Sequence, residues 1–251
     1  MNVLEGKVAI VTGASSGIGR ATARLFADEG AAVVATARRQ AELDSLVAEI
    51  EASGGQAISL AGDVREESHA KAIVDLAVDR FGGLDIAFNN AGTLGEMGPV
   101  SSLSMANWRD TLDVNLTSAF VGAKEQIPRM AERGSGSVIF TSTFVGYSAG
   151  LPGMAAYAAS KAGLIGLMQV LAVEFAVQGI RVNAILPGGT DTPMAPEDPG
   201  YRTFAENLHA LKRLARPEEI ARSVLHLASD ASSFMTGVAM LVDGGVSINR
   251  T

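Results

Sequence analysis

Short β-branched apolar runs alternate with helical periodicity along all 251 residues. Residues 7–11 (KVAIV) read as a first strand, followed over 17–29 by Ile18, Ala21, Thr22, Leu25 and Phe26 at helical spacing. Residues 32–36 (AVVAT) predict a second strand. The span 40–53 predicts a helix with Leu43, Leu46, Val47 and Ile50 on one face, stopped by Gly54-Gly55. A third strand over 56–61, a helix over 66–81 and a fourth strand over 84–89 continue the rhythm. Ser104 is placed to cap a long helix running to about Arg133. Then come a strand over 137–142, a long helix over 155–178, a strand over 181–186, a helix over 217–229 opened by Pro217 and a last strand over 238–242. The β-α repetition predicts a single α/β domain over 1–251, doubly wound, with about seven mostly parallel strands and helices on both faces. The strands are apolar on both sides, as a doubly covered sheet requires. Residues 187–202 (PGGTDTPMAPEDPGYR) hold four of the eight prolines and read as a long irregular loop, the kind that often serves as a lid.

Composition narrows the picture. Hydrophobic residues make up 47% of the chain, which excludes low-complexity disorder. The absence of cysteine excludes a disulfide scaffold and thiolate zinc sites. Twenty Lys and Arg against 27 Asp and Glu give a net charge of −7 without a basic run, a poor match to a nucleic-acid backbone. The most apolar stretch, 163–179, is interrupted by Gln169 and Glu174 and falls short of a clean span, so no membrane segment is expected. The chain is read as soluble and cytoplasmic.

The first strand runs directly into Thr12-Gly13-Ala14-Ser15-Ser16-Gly17-Ile18-Gly19 and then a helix. Glycines allow close approach of backbone to a ligand, and a helix N-terminus offers free N–H groups to a pyrophosphate. The spacing is Gly-x3-Gly-x-Gly rather than the common Gly-x-Gly-x2-Gly. Tyr157 and Lys161 lie four apart on one helical face, a phenol beside an amine that favours its ionised form.

Together with Asn89-Asn90-Ala91-Gly92 and Asn115, these motifs, in this order, make the chain resemble the short-chain dehydrogenases/reductases over residues 7 to about 245. The resemblance implies a Rossmann-type fold and an enzyme that moves hydride between a nicotinamide coenzyme and a ketone/aldehyde–alcohol pair. It places Gly13, Ser15, Ser16, Gly17, Ile18 and Gly19 at the coenzyme phosphates. Asp63-Val64 would lie at the adenine, and Asn89 to Gly92 beside the coenzyme. Pro187, Gly188, Thr190 and Thr192 would meet the nicotinamide carboxamide. Tyr157 would be the general acid/base, and Lys161 would also bond the nicotinamide ribose. Asn115 would hold a water behind Lys161, or else fill a helix irregularity.

Coenzyme choice rests on the end of the second strand, Thr36-Ala37-Arg38-Arg39. Ala37 stands where NAD-preferring members of the family carry Asp, and Arg38 and Arg39 are suited to a 2′-phosphate, which favours NADP(H) over NAD(H). The family places a serine hydroxyl 13 residues before the Tyr, where this chain has Phe144. Thr143 and Ser142 are the two candidates in its stead, Thr143 first. Residues 193–212 are the expected substrate lid, and Glu96 and Met97 are further candidates for the pocket. His69, His209 and His226 lack ligand spacing and are read as surface or packing residues, and no metal is implied.

Two rival readings share the motifs. A 3-oxoacyl-acyl-carrier-protein reductase would need a basic patch, for which Arg129, Arg133, Arg202, Lys212, Arg213 and Arg216 are the candidates. A non-catalytic dinucleotide-binding redox sensor should have lost Tyr157 or Lys161. The helix over 155–178 is apolar over much of its circumference, from Leu164 to Phe175. The resemblance suggests that it and the 105–133 helix pair with other copies in a homotetramer.

Overall fold

A computed structural model describes residues 2–195 and 198–249. Its strands are β1 (Val8–Thr12), β2 (Ala32–Ala37), β3 (Gln56–Ala61), β4 (Ile86–Asn89), β5 (Gly136–Thr141), β6 (Ile180–Pro187) and β7 (Ala239–Val242). Its helices are α1 (Gly17–Asp28), α2 (Gln40–Ala52), α3 (Glu67–Phe81), α4 (Met105–Leu112), α5 (Ser118–Arg133), α6 (Ala155–Phe175), α7 (Pro199–Leu208) and α8 (Pro217–Ala228). The strands form one sheet in the order β3-β2-β1-β4-β5-β6-β7, every pair parallel. This is the doubly wound Rossmann-type architecture that the alternating pattern predicts. The strand order reverses between β1 and β4, and the carboxyl ends of these strands open a crevice there.

Side-chain alternation along the strands builds a core on each face. In β1, Ala9 and Val11 face the layer that contains Phe26, Leu46, Ile220 and Val224, from α1, α2 and α8. Val8 and Ile10 face the opposite layer, with Ile73 and Val74 of α3, Ile127 and Met130 of α5, and Leu164 and Met168 of α6. Helix α6 is the one described helix long and apolar enough to cross a membrane. Here it lies on the sheet through Leu164, Ile165, Met168 and Ala172, while Val170 and Val173 on its other face are 63% and 80% exposed.

Three expectations change. The long helix over 104–133 is capped by Ser104, which accepts from Asn107 N–H, but it is divided by a π turn over Asp113–Thr117. Buried Asn115 lies in this turn, where its amide accepts from the Thr93 N–H and donates to the Thr93 carbonyl. Within the expected 187–202 loop, of which 196 and 197 lie outside the described residues, α7 begins at Pro199, with the Asp198 side chain accepting from Gly200 N–H. A proline at the head of a helix was thus a start signal rather than a loop signal. The 155–178 helix ends at Phe175 and finishes in a 3-10 turn over Ala176–Gln178. Other element ends fall within two residues of the pattern.

Asp85 shows how the sheet is pinned. It is buried, accepts from Val8 N–H at 2.8 Å and pairs with Arg133 Nε at 3.2 Å, tying β1 and α5 to the approach to β4. Asp85→Ala should cost about 2 kcal/mol in equilibrium urea unfolding, and Asp85→Asn less, since its amide oxygen still accepts from Val8. Equal losses would show that the Val8 bond contributes nothing.

Candidate active site

A cleft of about 670 Å³ opens at the carboxyl ends of the strands. At one end the loop after β1 turns with Gly13 at φ +67° and Gly17 at φ +56°, a backbone that favours glycine. A methyl at Gly13 would lie 2.9 Å from Asn90 Nδ2, and one at Gly17 2.9 Å from Thr192 Cγ2. Gly19, behind the wall, leaves room for the Gly13 carbonyl and for Asn90, which a methyl would approach to 2.7 Å. The first turn of α1 has no acidic residue and no side-chain cap at Ser16, so its N–H groups remain available to an anion. Ser15, Ser16 and Ile18 share this wall.

Asn90 fastens three strand ends together. Its N–H donates to Thr12 Oγ1 at 2.9 Å, its Nδ2 to Thr12 O at 3.1 Å, and its Oδ1 accepts from Thr141 Oγ1 at 3.1 Å. Ala91 and Gly92 follow on the cleft wall. Asn89, expected beside a coenzyme, is instead buried and exchanges two hydrogen bonds with Gln126, at 2.9 and 3.1 Å. Strand alternation turns it away from the cleft.

The charged side chains gather at the β2 and β3 ends. Arg39 donates to Ser15 Oγ at 2.9 Å and pairs with Glu42 at 3.2 Å. Arg38 is exposed on the wall and has no hydrogen bond or ion pair among the described residues. Asp63, beside Val64 on the wall, is chelated by Arg65, whose Nη1 also reaches Asp110 at 2.6 Å. The Arg65 guanidinium holds the Asp63 carboxyl below its usual range.

At the inner end, α6 carries Tyr157 and Lys161 to the cleft. Lys161 is 3% exposed and donates to Thr141 O at 2.7 Å, and burial pushes its amine down to about 8. Tyr157 is half-buried with protein packed closely about it, and this desolvation pushes its hydroxyl up to about 12. A hydrogen bond from Thr143 acts in the opposite direction, and the nearby Tyr201 adds to the rise. Sequence reasoning expected Lys161 to draw the phenol down. Burial raises it instead, and the amine is committed to the Thr141 carbonyl.

The two hydroxyl candidates separate by geometry. Ser142 donates to the Lys161 carbonyl at 2.8 Å, bracing α6. Thr143 accepts from Val145 N–H at 3.3 Å and is the one engaged with the phenol. Asn115 stands behind the wall, bonded to Thr93 and, at 3.0 Å, to Ser160 Oγ. A methyl on Gly92 would touch both Asn115 Oδ1 at 3.0 Å and Lys161 Nζ at 3.2 Å.

Pro187, Gly188, Thr190 and Thr192 line the cleft, as do Met194, Tyr201, Phe204 and Leu208 from the 193–212 segment. Met97 joins them, whereas Glu96 is exposed and off the wall. His209, read from sequence as a packing or surface residue, is buried and part of the lining. No spacing announces it, because its partner Gly189 lies on a separate segment. His69 is a packing residue, within 2.8 Å of Thr36 Oγ1.

The family model described as "Enoyl-(Acyl carrier protein) reductase" matches residues 13–247. The chain is 39% identical over 247 residues to a cyclohexanol dehydrogenase of Acinetobacter sp. (strain SE19), covering 97% of this chain and 96% of that one. It is 41% identical over 246 residues to the 3-oxoacyl-(acyl-carrier-protein) reductase FabG of Thermotoga maritima, covering 98% and 99%. A short-chain type dehydrogenase/reductase from Mycobacterium marinum superposes with a TM-score of 0.94 at 34% identity, covering 98% and 97%. The chain belongs to the short-chain dehydrogenase/reductase family. It is an oxidoreductase of alcohols and their carbonyl counterparts that uses a nicotinamide dinucleotide.

The buried amine makes a prediction about stability. Between about 8 and its ordinary value of 10.5, Lys161 has released in the fold a proton that the unfolded chain retains. Stability therefore rises with pH across that window. Measured against Lys161→Met by chemical unfolding, the wild type should gain from pH 8 upward, and a flat or falling difference would contradict the assignment.

Proposed function

We propose that the enzyme interconverts a neutral, apolar ketone and its alcohol with NADP(H), Tyr157 serving as general acid in reduction and general base in oxidation. The observation that carries this is the convergence of Tyr157, Thr143 and Lys161 at the inner end of a cleft whose other end holds the glycine loop and Arg38. The residues fit a dinucleotide: Gly13 and Gly17 let the loop turn tightly against Asn90 and Thr192 on the cleft wall, and the α1 N-terminus suits its pyrophosphate. Gly19 keeps that loop closed from behind. Arg38 and Arg39 would hold the 2′-phosphate, Asp63 and Val64 the adenine, and the Asn90–Gly92 and 187–192 segments the nicotinamide half. When bound, the dinucleotide gives or takes the hydride.

The chain's own residues do the rest. Thr143 and Tyr157 hydroxyls hold the substrate oxygen. At neutral pH the phenol keeps its proton, which readies it to donate as a carbonyl becomes an alkoxide. Lys161 would hold the ribose, and Asn115, bonded to Ser160, steadies the turn of α6 that carries Lys161. Ser142 supports α6 rather than substrate. The substrate chamber is lined by Leu94, Phe144, Leu151, Met154, Met194 and Phe204. Apart from Lys161, whose amine is committed to the Thr141 carbonyl, the charged residues on the wall sit at the opposite end, so a carboxylate or phosphate substrate would lose its hydration for little compensation. A cyclohexanol dehydrogenase among the relatives agrees with that choice.

The carrier-protein reductase reading keeps the support of the FabG relative. Against it, five of its six candidate basic residues are already in ion pairs: Arg129 with Glu132, Arg133 with Asp85, Arg202 with Asp191, and Arg213 and Arg216 with Glu219. Lys212 donates to Asn207 O. We further assign the chain as one domain with residues 193–212 as the lid, acting in the cytoplasm. Its quaternary state is a homotetramer that covers Phe120 of α5 and Val170 and Val173 of α6, all more than half exposed. Light scattering at the mass of a monomer would contradict that state.

NADPH should show a KM at least tenfold below that of NADH, and Arg38→Ala should remove most of the difference. A wild-type preference for NADH would overturn the coenzyme assignment. Thr143→Ala should lower kcat by about 10²-fold on cyclic ketones, with Ser142→Ala much milder. The reverse order would exchange their roles. Faster turnover of acyl thioesters than of cyclic ketones would favour the carrier-protein reading.

A further inference from the structure

His209 is 2% exposed, and both its ring nitrogens are spent on backbone groups of segments that border the cleft. Nε2 lies 2.9 Å from Gly189 N, and Nδ1 lies 2.6 Å from Ala205 O. An amide N–H can only donate and a carbonyl can only accept, so these partners assign a neutral ring with its proton on Nδ1. Gly189 belongs to the loop after β6, and Ala205 to α7. The ring fills space that glycines leave open: a methyl at Gly188 would come within 2.7 Å of Nε2, and one at Gly189 within 2.9 Å of Cε1.

We propose that His209 is a positioning residue that locks the 188–190 loop to α7 and thereby sets the affinity of the cleft for the nicotinamide half of the coenzyme. The proposal rests on the oxidoreductase reading above. A second tie joins the same two segments, since Arg202 grips Asp191 through both carboxylate oxygens at 3.1 and 3.2 Å. That pair is half-exposed on both sides and screened by water, so it contributes little. The His209 bonds are buried and directional, and losing one strands a backbone amide in the interior. A side chain that only filled volume would not need both nitrogens matched, one to a donor and the other to an acceptor.

The test compares wild type, His209→Leu and His209→Gln for binding of NADPH and of 2′-phospho-ADP-ribose, which lacks the nicotinamide. NADH and ADP-ribose replace them if that coenzyme is preferred. Fluorescence reads the first ligand and calorimetry the second. His209→Leu should weaken the full coenzyme about tenfold and the fragment less than twofold, because only the 188–190 loop is released. His209→Gln, whose side-chain oxygen can accept from Gly189 N–H, should recover most of the loss. Equal weakening of both ligands, weakening of neither, or a Gln variant no better than Leu would overturn the proposal. If the Leu variant does not fold, amide exchange in the wild type decides: Gly189 should exchange as slowly as the β6 amides, and fast exchange would overturn the lock. A wild-type protein that bound neither coenzyme would instead defeat the oxidoreductase reading itself.

Discussion

Placing a primary amine in the interior costs several kcal/mol unless its surroundings compensate, and Lys161 has one hydrogen bond to the Thr141 carbonyl for that purpose. Its amine accordingly sits near 8, and the structure around it is organised to hold it there. Ser142 holds the Lys161 backbone, and Asn115 reaches Ser160 one residue earlier. Gly92 leaves open the space that both Lys161 and Asn115 border. The π turn before α5 carries Asn115, which meets the Thr93 backbone and Ser160 of α6 at once.

From that inner end the cleft changes character along its length. Around Arg38, Arg39, Asp63 and Arg65 it is charged and exposed, suited to a phosphorylated ligand that stays partly in water. Around Phe144, Met154, Met194 and Phe204 it is apolar. Desolvation there raises the phenol and lowers the amine together, which keeps the proton on oxygen until a partner oxygen needs it. One α/β sheet supplies both environments, because its strand order reverses at the point where the two meet.

Local pattern carried most of the fold and the coenzyme loop into view. Strands such as 56–61 and helices such as 40–53 announce themselves by periodicity, and the glycine loop and the Tyr157–Lys161 spacing by residue type. Features that depend on distant partners did not show. Asn115 in the π turn needs Thr93, 22 residues away, and His209 needs Gly189, 20 residues away on the loop after β6. Thr143 and Ser142 are neighbours with the same chemistry, and only the path of β5 past α6 turns one inward to the Lys161 carbonyl and the other toward the phenol. Helix α7 is hidden because Pro199, which heads it, stands at the end of a proline-rich run that reads as a loop.

The central claim is that the Tyr157 phenol carries the proton of the reaction. Tyr157→Phe should keep its fold and its coenzyme affinity, and in single-turnover reduction of a cyclic ketone it should fall by at least 10²-fold, in keeping with the loss of a positioned general acid. Turnover at the wild-type rate by a folded, coenzyme-loaded Tyr157→Phe protein would contradict the account.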